Sequence, residues 1–397
     1  MSASQNPAPR SDGSAIHPDV VRLGVVSLLT DVSSEMIFSV FAVFFTTIAG
    51  ASAALLGAVE GLADLSSCSL DYLAGWLSDR TGRRKSLALL GYGFSALAKA
   101  MLLFAASVPV LGAFRVVERL GKSFRGPPRD AWLAAVAARS ARGYSFGVHK
   151  AFDKAGAVLG PLLAYALLFR LGETPAAYRA LFRLALIPAL LAVALLAWMP
   201  PRPGPRQERE QLQQTWRTLS AGFKRYLAAA GVFSLGYFSF GFLLLRAYDL
   251  GFSVEQIVLL YALFNGACVI AAPLAGKLGD LIGRTRILAA GYLIYLLMCL
   301  GFAAATAKWH VVVLFLVYGV FFAIDEAQSK AFIADVQSER RATAIGAYNF
   351  VTGGLYLPAS LIAGALWTVG PAMAFVFAAS TSAAAALTLL RLRPAGR

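Results

Sequence analysis

The chain is predicted to be an all-α membrane protein with twelve transmembrane helices arranged as two six-helix bundles. Three observations predict it. Of its 397 residues, 58% are hydrophobic and only 14% charged, with a mean hydropathy of +0.66, whereas soluble domains carry about a quarter charged residues. Apolar runs long enough to cross a bilayer as helices recur near 20–47, 53–75, 86–106, 109–127, 144–168 and 180–199, then near 224–246, 256–276, 287–306, 310–330, 343–367 and 370–391. A polar stretch rich in Pro, Arg and Gln divides the two sets. The domain plan is therefore a polar tail over 1–19, bundles over 20–199 and 223–392, and a linker over 200–222.

Charge placement orients these runs. A net charge of +15 could suit a polyanion, but the bases fall in short inter-helix segments, so topology accounts for them and no nucleic-acid partner is expected. Arg80, Arg83, Arg84 and Lys85, then Lys122, Arg125 and Arg129, then Lys277, Arg284 and Arg286 all cluster on one side. The opposite loops hold only Arg170, Arg179, Arg183, Arg246 and Lys308. The expected location is the cytoplasmic (inner) membrane, with both termini and the linker cytoplasmic. The tail, with Pro7, Pro9 and Pro18, is expected to be disordered, and the apolar run behind it is too long for a signal peptide. Cys68, Cys268 and Cys299 lie inside apolar runs without CxxC spacing, and His17, His149 and His310 are scattered. Neither a disulfide nor a metal site follows, and no cofactor is expected. With no nucleophile–base set or phosphate-cradling loop, an enzyme is not expected either.

Charges inside a bilayer cost enough that each needs a partner or a function. Asp31 and Glu35 lie four apart on helix 1, and Glu60, Asp64 and Asp71 form a stripe on helix 2. Lys99 is on helix 3, Arg115, Glu118 and Arg119 on helix 4, and Lys150, Asp153 and Lys154 on helix 5. They are either structural pairs holding the first bundle together or the working charges of a transport path. Lys150, Asp153 and Lys154 are assigned to the first class, and Asp71 to a network with the following loop. Asp31, Glu35, Glu60 and Asp64 are candidates for carrying a coupling proton. Arg115 and Arg119 are candidates for lining a substrate cavity. The second half is poorer in charge, with Asp325 and Glu326 on helix 10. Its helix 7 alternates glycines with aromatic residues, so Tyr237 and Phe240 are candidate cavity walls, with Tyr261, Asn265, Tyr348 and Asn349 as hydrogen-bonding groups.

The stretch Gly75-Trp-Leu-Ser-Asp79-Arg80-Thr-Gly82-Arg83-Arg84-Lys85 lies between helices 2 and 3, and a weaker copy, Gly276 to Arg286 with Asp280, Gly283 and Arg284, lies between helices 8 and 9. Gly82 permits a tight turn and Gly75 close packing. The first copy resembles the helix 2–3 loop motif of the major facilitator superfamily, and the second its eroded counterpart; the resemblance covers about 20–392. It implies the superfamily fold, with two halves rocking about a midplane site. It also implies a cytoplasmic gating role for Asp79, Arg80 and Arg83, and for Asp280 and Arg284. On helix 5, Gly156, Gly160 and Pro161 are similar to a motif of antiporter branches, although Leu162, Leu163 and Ala164 stand where further glycines are usual; helix packing is the alternative. Helix 4 resembles the superfamily's buried-arginine motif. The run Gly121 to Asp130 resembles a bacterial permease-like subgroup of multidrug and metabolite carriers; Pro127 and Pro128 are expected to end helix 4 and Arg129–Asp130 to pin the next loop.

The function expected is secondary active transport of a small organic molecule, as proton-coupled export. The alternative is proton-coupled uptake of an anionic metabolite or siderophore-like ligand held by Arg115 and Arg119. A non-transporting receptor or scaffold is disfavoured, since it would need a soluble appendage or a degenerate loop motif. Expected partners are the solute, protons and the lipid bilayer, with the chain as a monomer.

Overall fold

Apolar runs bounded by small polar residues become helices because a side-chain oxygen satisfies the first free backbone amides. Ser52, Thr174, Ser220 and Ser253 do this for the amides of Leu55, Ala177, Phe223 and Gln256. The computed structural model describes residues 17–103, 107–136, 142–201, 219–336 and 341–391, without some side chains inside these ranges, among them Cys68, Asp79 and Asp280. The helices are α1 (Pro18–Val43), α2 (Ala53–Thr81), α3 (Arg84–Met101), α4 (Val108–Val136), α5 (Arg142–Leu171) and α6 (Pro175–Trp198). There follow α7 (Ala221–Ser234), α8 (Gly241–Asp249), α9 (Val254–Ile282), α10 (Arg284–Ala304), α11 (Lys308–Val336), α12 (Arg341–Val369) and α13 (Pro371–Leu390). With α7 and α8 as two parts of one span, these make twelve. Eight of the helices are long and apolar enough by themselves to cross a membrane. Much of the remainder falls short because α2 and α4 carry the charges that meet inside the bundle.

Two elements differ from the sequence expectation. Pro127 and Pro128 lie within α4, which runs on to Val136. A proline inside a helix forfeits a hydrogen bond and costs about 3 kcal/mol, but anchors on both sides hold α4 to its course. Arg125 donates to Ser95 at 2.8 Å and Arg129 to Ser27 at 3.0 Å, while Trp132 and Leu133 are fully buried. The run near 224–246 is broken rather than continuous, at Leu235–Phe240 between α7 and α8. A side chain on Gly236 would meet the α13 backbone, 2.8 Å from the Cα of Ala378, and Tyr295 satisfies the freed Gly236 carbonyl at 3.1 Å.

Both halves use the same pairing scheme. In the first, α1 packs on α5 and α6, and α4 on α2 and α3, with α3 also on α6; in the second, α7 packs on α12 and α13, and α11 on α9 and α10, with α10 on α13. The halves meet through α2 with α12 and α5 with α9, a swapped pairing consistent with pseudo-two-fold symmetry. The α2–α12 seam is closed by glycines at the end away from the basic loops. A Cβ on Gly61 would lie 2.9 Å from the Cα of Leu357, and one on Gly364 2.9 Å from the Ala53 carbonyl oxygen. Only small residues allow backbones to approach so closely. At the same far end, the Val254 amide of α9 donates to Glu173 in the α5–α6 turn. Leucines, Phe169 and Trp198 cover the outside of the bundle, as a lipid-facing surface requires.

Candidate functional site

Between the halves lies a cavity of about 750 Å³, reaching from Glu60 and Ser239 at mid-depth toward Arg129 and Lys150 at the basic end. Its first-half wall is built from acids and bases in register. Glu60 and Asp64, four apart on α2, face Arg115 and Arg119, four apart on α4. Arg115 holds Glu60 in a two-point contact, Nε to Oε1 at 2.6 Å and Nη2 to Oε2 at 2.8 Å. Arg119 pairs with Asp64 through one oxygen, Nε (3.1 Å) and Nη2 both donating to Oδ1. The Arg115 guanidinium lies 4.7 Å from the Phe38 ring centroid and 3.4 Å from Glu118. Ser239, in the break before α8, donates to Glu60 Oε2 at 3.0 Å. The unwound turn thus ties the second half to the buried pair of the first.

The α1 acids are held differently. Asp31 stands 3.7 Å from Arg125. Glu35 accepts the Tyr261 hydroxyl from α9, so its carboxylate spans the halves; among the described residues no cation lies within ion-pair distance of it. Buried Lys99 donates to Ser34 at 3.0 Å, and Ser34 in turn to Glu118 at 3.1 Å. Deeper toward the basic end, Ser27, His149, Asp153 and Arg129 form a polar cluster.

The second-half wall is aromatic. Tyr237, Phe240, Tyr261, Phe264, Tyr318 and Phe322 line it, with Tyr237 and Tyr318 hydroxyls 3.1 Å apart. Among the seven cavity candidates read from the sequence, Arg115, Arg119, Tyr237, Phe240, Tyr261, Asn265 and Asn349 all border the cavity. The Asn265 amide is engaged by its own helix, donating to the Tyr261 carbonyl at 3.1 Å.

A profile of the Major Facilitator Superfamily matches residues 23–246 and 226–397. The chain belongs to the major facilitator superfamily. It is a membrane-embedded transporter rather than an enzyme. It is 33% identical over 381 residues to an uncharacterized MFS-type transporter of Methanocaldococcus jannaschii, covering 94% of each chain. An uncharacterized protein of Mycobacterium tuberculosis is 29% identical over 386 residues, covering 94% of this chain and 93% of that one. Among solved structures, the nucleoside transporter NupG (D323A mutant) superimposes with a TM-score of 0.80 at 12% identity, covering 94% of this chain and 99% of NupG. A proton-dependent oligopeptide transporter gives 0.73 at 14% identity, covering 94% and 98%.

Within the superfamily fold, the loop motif lies at the basic end. Gly82 ends α2 with φ 66°, a left-handed conformation that glycine adopts without strain. Arg80 lies over Trp76, its guanidinium 5.0 Å from the ring, and Arg284 pairs with Asp335. Both contacts stay within one half. Gly75 is buried in α2 and Arg83 exposed at the start of α3, while the side chains of Asp79 and Asp280 lie outside those described. On α5, a Cβ at Gly156 would lie 2.7 Å from the Leu28 carbonyl, and one at Gly160 2.7 Å from that of Val32. These glycines, Gly160 directly before Pro161, seat α5 against the stretch of α1 that bears Asp31 and Glu35.

Three assignments change. Lys150 pairs with Glu326 of the other half at 3.3 Å, so it is not part of a pair internal to the first bundle. Asp71, assigned to the loop network, borders the cavity near Ser123, because the α2 stripe carries it inward. Arg129 reaches Ser27 on α1 and approaches Asp153 at 4.0 Å, since α4 does not end at its prolines. Sequence reasoning counted Lys122 among the topology-setting bases and Lys154 among the structural pairs, whereas both line the cavity. The matching four-residue spacings of Glu60/Asp64 and Arg115/Arg119 were the signal that could have shown which bases are already occupied.

Proposed function

We propose that the protein is a proton-coupled secondary transporter that takes up a small organic anion by alternating access. In this reading the basic end faces the cytoplasm across the cytoplasmic membrane, in keeping with the distribution of Lys and Arg. The carrying observation is a pair of unmatched charges in the cavity. Glu35 has no cation within ion-pair distance and Lys122 no carboxylate, among the described residues; Lys122 is balanced at longer range by Asp31, Glu35, Glu118 and Asp71. Protonating Glu35 removes part of that balance and leaves Lys122 freer to hold a solute anion. By reciprocity, a bound anion favours the proton on Glu35. Solute and proton therefore load together, which is the requirement for cotransport. The Glu35–Tyr261 bond across the halves ties the proton to the contact that must break when the halves rock.

Export by exchange drew its sequence support from the helix 1 acids and the helix 5 motif; the acids serve cotransport equally, and the motif's glycines have a packing role against α1. The anion-uptake alternative is kept with its cations moved, because Arg115 and Arg119 already hold Glu60 and Asp64. The test is reconstitution into liposomes with a labelled panel of organic carboxylates and phosphate esters. An inward proton gradient should drive accumulation in the wild type. Glu35→Gln should abolish accumulation while sparing solute counterflow. Unimpaired uphill uptake by Glu35→Gln, or solute expulsion against the proton gradient, refutes the proposal.

A further inference from the structure

The two walls of the cavity differ in kind, and the difference constrains the solute. Seven cations line the cavity, all on the first half. Five have a carboxylate within ion-pair distance: Arg115, Arg119, Arg125, Arg129 and Lys150. Lys122 and Lys154 have none among the described residues. Lys122 extends exposed into the cavity, and its ammonium keeps its hydrogen-bonding capacity for a ligand. Lys154 stands at the seam between the walls, its Nζ 5.8 Å from the Phe322 ring centroid of the second half.

From that seam the second-half wall continues as rings. Phe322 meets Phe264 edge-on at 5.6 Å, and Phe264 is tilted against Tyr318 at 5.1 Å. The Tyr318 hydroxyl is occupied by Tyr237, so this part of the wall offers ring faces and edges more than free hydroxyls. A solute with charge at one end and a flat ring at the other matches both walls at once. An aliphatic acid would leave the ring wall in water. A cation would meet two ammonium groups without an ion-pair partner among the described residues, while the first-half acids Asp31, Glu60, Asp64 and Asp153 are already held by arginines.

We propose that the solute is a planar aromatic carboxylate, its carboxylate received by Lys122 and Lys154 and its ring by Phe264, Tyr318 and Phe322. This deepens the transport reading above and rests on the cavity being the transport site. Charge-assisted hydrogen bonds to the carboxylate supply sign selectivity, and stacked or edge-on ring contacts supply the preference for a flat ring over a saturated one.

The experiment is equilibrium binding to the purified full chain in detergent, with no gradient. The probes are 2-naphthoate, 2-naphthamide, 2-naphthylmethylammonium and decalin-2-carboxylate. Naphthoate should bind at least tenfold more tightly than the amide or the ammonium, and about tenfold more tightly than the saturated acid, which corresponds to about 1.4 kcal/mol. Lys122→Ala and Lys154→Ala should each weaken naphthoate about tenfold, with Lys122→Arg retaining most of the affinity. Phe322→Leu should abolish the preference for the aromatic over the saturated acid while keeping the preference for charge. Both lysines face open cavity, so these variants should fold, which thermal unfolding checks. Equal binding of the ammonium or amide, absence of naphthoate binding, or unchanged affinity in both lysine variants overturns the proposal. Proton-driven uptake of some other anion, sensitive to Glu35→Gln, would then leave the transport reading standing; naphthoate binding without such uptake would do the reverse.

Discussion

The two arginine–carboxylate rungs between α2 and α4 predict a graded response to losing the acid. In the deeper rung, Arg115 and Glu60 are 6% and 2% exposed; in the second, Arg119 and Asp64 are 27% and 14% exposed. Removing one partner of a buried pair leaves an uncompensated charge and costs about 3–5 kcal/mol. Glu60→Gln keeps the shape, and Glu118 remains 3.4 Å from Arg115, so the lower end, about 3 kcal/mol, applies. The second rung is only partly buried, so its cost lies nearer the about 1 kcal/mol of an exposed pair. With about 2–4 °C per kcal/mol for a domain of 150–250 residues, Glu60→Gln should lower the unfolding midpoint by about 6–12 °C and Asp64→Asn by about 2–4 °C. Intrinsic-fluorescence melting of the purified protein in detergent reads both. Replacing the whole deeper pair, Glu60→Leu with Arg115→Leu, should recover most of the loss, because the arginine charge goes with its partner and Glu118 keeps Ser34 and, through it, Lys99. Equal shifts for the two acids, or none for Glu60→Gln, would refute the reasoning from burial.

Two further outcomes are expected. At the far end, burial pushes the Glu173 carboxyl up, the Val254 amide opposes this and the Glu255 carboxyl adds to the rise, with Tyr178 and Tyr248 the other titratable groups nearby. A folded-state value above the ordinary one means that this contribution to stability is complete below the ordinary glutamate range and lost as pH rises through the raised value; melting midpoints should fall across that window in the wild type and less in Glu173→Gln, and superimposable profiles would sink the assignment. For topology, Ser52→Cys should react with an impermeant maleimide added outside intact cells, and Gly204→Cys only after the membrane is opened. The opposite pattern rejects the inside–inside orientation.

Much of the fold was legible because hydrophobicity and loop charge are local properties. Each apolar run became helical, that near 224–246 in two parts. Gly82 shows the same directness, since its turn required a left-handed residue and the sequence supplied glycine. Where local rules competed with packing they failed. Pro127 and Pro128 predicted an end to α4, yet Arg125 and Arg129 on either side are fixed to α3 and α1. Glycines and aromatics on helix 7 announced a cavity wall but not the break that delivers Ser239 to Glu60.

The sequence by itself determined an all-helical, duplicated membrane chain of the major facilitator superfamily, with acids and bases concentrated in the first half and rings in the second. It determined which residues must be accounted for. It did not determine which charges cancel. Arg115 and Arg119 were the natural anion-binding candidates until α2 brought Glu60 and Asp64 against them, leaving Lys122 and Lys154 as the cavity cations without an ion-pair partner among the described residues. Lys150 passed for a local pair until the second half placed Glu326 beside it. Pairing depends on the separation of side chains from different helices, and Coulomb energy falls off with distance in space rather than along the chain. That is why composition fixed the inventory of charges and only the tertiary structure decided which of them remain to do work.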